Sequence, residues 1–101
     1  MLTVKHIVKG LKTMFRITDN KGFQITFDNG YTVSVQFGPG NYGSNYNADF
    51  VANMNKPQSA SVVETALISP SGDFVPYQGE DVQGYVNTDS VLELLNYARS
   101  L

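Results

Sequence analysis

Residues 23–37 read Phe23-Gln24-Ile25-Thr26-Phe27-Asp28-Asn29-Gly30-Tyr31-Thr32-Val33-Ser34-Val35-Gln36-Phe37. Two runs of alternating apolar and polar residues flank an Asp-Asn-Gly turn, which is the signature of a β-hairpin with one buried face. Phe23, Ile25 and Phe27 share a face in the first run; Tyr31, Val33, Val35 and Phe37 share one in the second. A two-residue Asn29-Gly30 turn would set Phe27 opposite Thr32 and mix the faces. A three-residue Asp28-Asn29-Gly30 loop sets Phe27 opposite Tyr31 and keeps the apolar residues together. Side-chain period two therefore selects the longer loop, a type I turn with Gly30 left-handed.

The same reasoning extends in both directions. Upstream, a loop of Asn20-Lys21-Gly22 predicts Asp19 opposite Phe23, Ile17 opposite Ile25 and Phe15 opposite Phe27. Downstream, Ser69-Pro70-Ser71-Gly72 puts Pro at the second turn position and Gly at the left-handed one, with Ile68 opposite Phe74 and Leu67 opposite Val75. Gly22, Gly30 and Gly72 are all expected at positive φ.

The chain ends on Val91, Leu92, Leu94, Leu95, Ala98 and Leu101, which are spaced as one face of a helix. Ser90, three residues before Glu93, reads as a capping box, with Thr88 or Asp89 as competing caps. A helix of about three turns is marginal alone and needs a sheet to pack on. Leu94 and Leu95 are expected against that sheet, Asn96 and Arg99 in solvent. The fold expected is α+β: an antiparallel sheet of about five strands, a meander plus a hairpin, with the C-terminal helix on one face. Near the N-terminus, Val4, Ile7, Val8, Leu11, Met14 and Phe15 fit a helical stripe, with Lys5, Lys9, Lys12 and Arg16 on another face; a short amphipathic helix or a loose extension fits this segment.

At 101 residues the chain is expected to be a single domain, 1–101. It has no cysteine, so disulfides and thiolate metal sites are excluded. No apolar run reaches the length of a membrane span, and no signal-peptide core opens the sequence. The expectation is a cytoplasmic protein with no membrane association. Net charge is −2, which argues against non-specific nucleic-acid binding. The charge is uneven: Lys5, Lys9, Lys12, Arg16 and Lys21 lie in the first 21 residues, whereas residues 22–101 carry eight acidic groups against Lys56 and Arg99.

Catalytic vocabulary is sparse. His6 is the single histidine and no nucleophile elbow accompanies it. Glu80-Asp81 is the only acidic doublet, which is a solvated pair before it is a metal site. No enzyme activity, cofactor or metal is expected.

What the sequence does offer is the loop that leaves the second hairpin strand: Gly38-Pro39-Gly40-Asn41-Tyr42-Gly43-Ser44-Asn45-Tyr46-Asn47. Tyr supplies contact area at low entropic cost, and Ser, Gly and Asn supply adaptable hydrogen bonding. The candidate binding residues are Gly38, Gly40, Asn41, Tyr42, Gly43, Ser44, Asn45 and Tyr46, with the two tyrosines as anchors. Residues 38–60 form one long connection, and Ala48–Met54 is spaced for a helical turn. Gly38-x-Gly40-x-x-Gly43 matches the dinucleotide pattern in form, but Pro39 and the Asn-rich continuation oppose the helix that pattern requires. A weaker version keeps the N–H groups of Gly40, Asn41 and Gly43 as an anion nest, with Tyr42 and Tyr46 stacking on a base. Three partners follow from these readings: another protein, a small nucleotide-like ligand, or a second copy in a homo-oligomer joined through an exposed strand edge.

The run Ile17-Thr18-Asp19-Asn20-Lys21-Gly22-Phe23, followed by Phe27-Asp28-Asn29-Gly30-Tyr31-Thr32-Val33-Ser34-Val35-Gln36-Phe37-Gly38-Pro39-Gly40-Asn41-Tyr42, resembles a family of small uncharacterised proteins of tailed phages and prophages. The resemblance spans roughly residues 14–47, with a looser echo from Glu64 to Val75. It implies a phage-encoded accessory protein acting in the host cytoplasm, inhibitors of host defence included, and carries over no activity.

Overall fold

The computed structural model describes residues 13–19, 21–48 and 59–101. It contains strands β1 (Met14–Ile17), β2 (Gly22–Thr26), β3 (Thr32–Gln36), β4 (Val63–Ile68), β5 (Phe74–Val75) and β6 (Val82–Val86), followed by helix α1 (Thr88–Ser100). All pairings are antiparallel, in the order β1-β2-β3-β4, and both β5 and β6 pair with β4. Because β3 occupies one edge of β4, β5 and β6 share the other: β5 lies against Leu67 and Ile68, β6 against Val63 to Ala66. The six-stranded sheet is therefore five strands wide. This is the α+β architecture that the alternation and the terminal helix imply.

Two of the three hairpin registers match the sequence reading. Thr26 faces Thr32 and Ile25 faces Val33, with the Phe27 N–H donating to Tyr31 O at 2.9 Å and Gly30 at φ 85°. Leu67 faces Val75 and Ile68 faces Phe74, with Gly72 at φ 91°.

The first hairpin is different. Ile17 faces Phe23 and Phe15 faces Ile25, a slip of two residues from the expected register. Gly22 is not left-handed; Asp19 is, at φ 47°. The reason is packing. A Cβ on Gly22 would lie 2.2 Å from Val35 O, so this glycine is needed where β2 crowds against β3 and is not available for the turn. The Thr18 N–H closes the turn onto Gly22 O at 3.0 Å. A slip of two leaves every side chain on its own face, which is why the faces survive the error.

One face of the sheet carries the core. Val33, Val35 and Leu67 are buried against Leu94 and Ala98 of α1, with Phe23, Phe27, Phe37, Val63, Val75 and Val91 among the residues packed around them. Asn96 and Arg99 are exposed as expected, but Leu95 is only half-buried. The helix cap also needs correcting. Asn87, extended at φ −84° and ψ 175°, is the N-cap, and its Oδ1 accepts the Ser90 N–H at 2.9 Å. Thr88, Asp89 and Ser90 are already helical. The far end of α1 is tied to the β2–β3 turn: Asn29 Nδ2 donates to Ala98 O at 2.7 Å and Leu101 O at 3.0 Å. These bonds engage carbonyls at the helix's C-terminal end, where intrahelical N–H partners run out; Ala98 O also accepts the Leu101 N–H at 3.4 Å. Met14, Phe15 and Arg16, which fit the expected N-terminal helical stripe, are in strand β1, where they pair with β2; the rest of that segment, His6 and, apart from Ala48, the helical turn at 48–54 lie outside the described residues.

Candidate functional site

The Gly38–Asn47 loop begins where β3 ends, crosses the start of β4 and reaches β6. Its entry is fixed by Lys21, whose carbonyl accepts the N–H groups of Phe37 at 2.8 Å and Gly38 at 3.0 Å. Its interior is folded back on itself. The Gly40 N–H donates to Tyr46 O at 3.0 Å, that of Asn41 to Gly38 O at 3.2 Å, and that of Gly43 to Asn41 O at 2.8 Å.

Side chains then fasten the loop to the chain that leads into β4. Asn45 Nδ2 donates to Phe37 O at 2.8 Å and to Ser59 O at 2.9 Å, bridging the two ends of the long connection. Ser44 Oγ accepts the N–H groups of Ser61 at 3.1 Å and Val62 at 3.2 Å, and the Ser44 N–H donates to Val62 O at 3.1 Å. Gly43 is buried at this contact; a Cβ there would lie 2.5 Å from Val62 O and 3.1 Å from Val63 Cα. The loop is as close to β4 as a backbone can come.

The last fastening is to β6. The β4–β6 register shifts between Val63 and Thr65, and within this bulge Tyr85 takes φ 55°. A bulge re-aims the backbone groups of its strand. Here the Tyr85 N–H donates to Tyr42 O at 2.8 Å, while the Tyr42 N–H donates to Glu64 Oε1 at 3.1 Å.

On this base the rings of Tyr42 and Tyr46 stack at 5.5 Å between centroids and 7° between planes. They remain 51% and 42% exposed. Of the eight predicted residues, these two side chains face outward as a pair. Gly38, Gly43, Ser44 and Asn45 build the loop, and both amide hydrogens of Asn45 are engaged within the chain. Asn41 Nδ2 points back to Gly38 O at 3.4 Å. The N–H groups of Gly40, Asn41 and Gly43, the donors of an anion nest, all have partners inside the loop. No helix begins among residues 38–48.

Glu64, Gly84 and Tyr85 belong to the same surface and escaped the sequence reading. A single signal was present: Val82-Gln83-Gly84-Tyr85-Val86 breaks its alternation at the glycine, which marks a bulge or a close approach. Gly84 serves the latter, since a Cβ there would lie 3.0 Å from Tyr42 Cβ.

Two other concavities lie on the helix side. One, of about 380 Å³, is lined by Phe23, Phe37, Val63, Val86 and Val91 together with Ser59 and Thr88, and holds no titratable side chain. The other, of about 200 Å³, lies between α1 and β6 and includes Tyr77, Tyr85 and Glu93. Among the described residues no three His, Cys, Asp or Glu side chains are grouped to hold a metal ion, and no helix is long and apolar enough to cross a membrane. No family model, curated protein or solved structure matches the chain.

Proposed function

We propose that this chain is a small non-enzymatic binding protein that engages a protein partner through Tyr42 and Tyr46. The observation that carries this reading is the exposed, stacked pair of tyrosines on a loop whose backbone is already fixed. A surface ordered before binding loses little entropy when a partner arrives, and rigid aromatic anchors dominate interface energetics. The resemblance to phage proteins adds the second half of the proposal: a phage-encoded accessory factor, such as an inhibitor of host defence, acting in the host cytoplasm. A nucleotide-like ligand is less well supported, because the loop's N–H groups are engaged internally and only the outer ring faces remain for a base.

A second reading has its own observation. Phe15 and Ile17 are 81% and 80% exposed on β1, which among the described residues is an edge strand of the sheet. An apolar open edge is a template for pairing with another strand, and self-association of this chain through β1 follows from it.

Native mass spectrometry of the protein purified from its natural host background tests both readings. The first expects a bound protein in the wild type that is absent from a Tyr42→Ala/Tyr46→Ala variant that loses no more than about 1 kcal/mol of stability. A partner retained by that variant overturns the first reading. A homo-oligomer that survives it supports the second.

A further inference from the structure

We infer that the Tyr42–Tyr46 surface is built to take an arginine side chain of its partner, with Glu64 as the counter-charge; this deepens the proposed function and rests on it. Three tyrosines meet at one backbone node. Tyr42 and Tyr46 are stacked on each other, and Tyr85, 61% exposed, is joined to Tyr42 by the 2.8 Å hydrogen bond from its N–H. Each ring stacks on the other, and both remain about half exposed. Aromatic faces are regions of negative potential that attract cations, and a planar guanidinium stacks on them where an ammonium does not.

The charge beside the rings has the matching sign. One carboxylate oxygen of Glu64 accepts the Tyr42 N–H at 3.1 Å, so the carboxylate is held at the root of that side chain. Among the described residues, the Tyr42 N–H is the hydrogen-bond donor to that carboxylate. A guanidinium lying on the outer face of Tyr42 is then within the range of a charge-assisted hydrogen bond to it. Lys21 packs beneath Gly38 at the loop's entry. Away from the basic N-terminal stretch the chain is acidic, with eight acidic groups against two basic ones over residues 22–101. That balance draws a cationic partner and disfavours an anionic one.

Gly84 explains how the node is assembled. Its missing Cβ lets Tyr42 approach β6, where any side chain would begin 3.0 Å from Tyr42 Cβ. The bulge that follows turns the Tyr85 N–H towards the loop and away from β4. Neither feature serves the core, since both lie at exposed positions.

The test is an amide NMR titration with acetyl-Gly-Arg-Gly-amide, and with the same peptide carrying neutral, isosteric citrulline in place of arginine. The expected result is saturable shifts confined to residues 42–46, 64 and 84–85, on the order of millimolar affinity, and none with citrulline. Glu64→Gln keeps an acceptor for the Tyr42 N–H and removes only the charge. It should weaken the arginine peptide about threefold or more. Asp28→Asn, in the exposed β2–β3 turn at the opposite end of β3 from the loop, removes the same charge and should leave affinity unchanged. Equal shifts with citrulline, shifts spread over the acidic surface, or equal losses from Glu64→Gln and Asp28→Asn would each overturn the inference. The underlying reading is decided separately. If the natural partner is lost from Tyr42→Ala/Tyr46→Ala yet held normally by Glu64→Gln, the loop binds a protein and the arginine assignment is wrong.

Discussion

The Tyr42–Tyr46 loop and strand β1 both show large side chains to solvent, but they are held in opposite ways. The loop has almost no regular structure, yet its backbone is hydrogen-bonded to Lys21, Val62, Glu64 and Tyr85 and its Asn45 side chain to Ser59, partners that come from three separate stretches of the chain. β1 is regular structure, yet among the described residues it is held along one edge only, with Phe15 opposite Ile25 and Ile17 opposite Phe23. Helix α1 packs over β3 and β4, two strands further in. The exposed groups differ in kind as well. Tyrosine carries a hydroxyl that keeps it compatible with water, whereas Phe15 and Ile17 offer hydrocarbon alone. Exposure by itself therefore does not mark a binding site. A fixed backbone beneath amphipathic rings points to recognition, and bare hydrocarbon on an edge strand points to a surface that calls for cover.

The comparison is most easily broken at Gly43. If the loop is as tightly docked as its hydrogen bonds indicate, Gly43→Val cannot be accommodated, because the new Cβ would meet the backbone of Val62 and not a side chain able to move aside. We expect a loss of about 2–3 kcal/mol in urea unfolding, in the range of overpacked sites. A loss below about 0.5 kcal/mol would mean that the loop lifts away at little cost and is no more fixed than β1.

Asn45→Ala is a gentler probe of the same property. It removes both donors that join Phe37 O to Ser59 O. Leaving partly buried carbonyls without partners costs about 1–2 kcal/mol. Amide exchange should show Gly40 and Tyr46, whose mutual bond closes the loop, losing protection before the β3–β4 ladder does.

These contacts also show why the sequence revealed the scaffold better than the site. Alternation in residues 23–37 and 63–75 is a local pattern with a period-two signal, and it specified faces, two registers and the partner of α1. It failed at Gly22, because a glycine in a turn and a glycine under a neighbouring strand look alike in sequence; only the position of Val35 O distinguishes them. It failed at Asn87 by a small margin, since Thr88, Asp89 and Ser90 are all plausible caps by residue type. The Tyr-rich loop was legible from its composition. Its partners Glu64 and Tyr85 were not, because their contact with Tyr42 spans 22 residues or more and depends on a bulge that a single glycine only suggests.

Tyr42→Ala/Tyr46→Ala sharpens the contrast between fixing a loop and using it. The rings touch each other but leave the backbone bonds of the loop to Asn45, Ser44 and Gly40. Losing the stack should cost about 0.5–1 kcal/mol of stability, while partner binding disappears. A fall in melting temperature as large as that of Gly43→Val, with binding retained, would show that the rings serve the fold.

The smallest effect is expected at β1. Phe15→Thr/Ile17→Thr keeps strand propensity and removes hydrocarbon that is about four-fifths exposed. Little burial is lost, so stability should stay within about 0.5 kcal/mol of the wild type, as for ordinary surface positions. Sedimentation velocity at high protein concentration supplies the second readout. If β1 joins two copies edge to edge, the variant should show a lower weight-average mass than the wild type, and identical masses would retire that reading. A stability loss of about 2 kcal/mol or more would carry a different message. It would mean that Phe15 and Ile17 are covered within the monomer in solution, and that the contrast between a bare edge and a prepared loop has to be redrawn around whatever covers them.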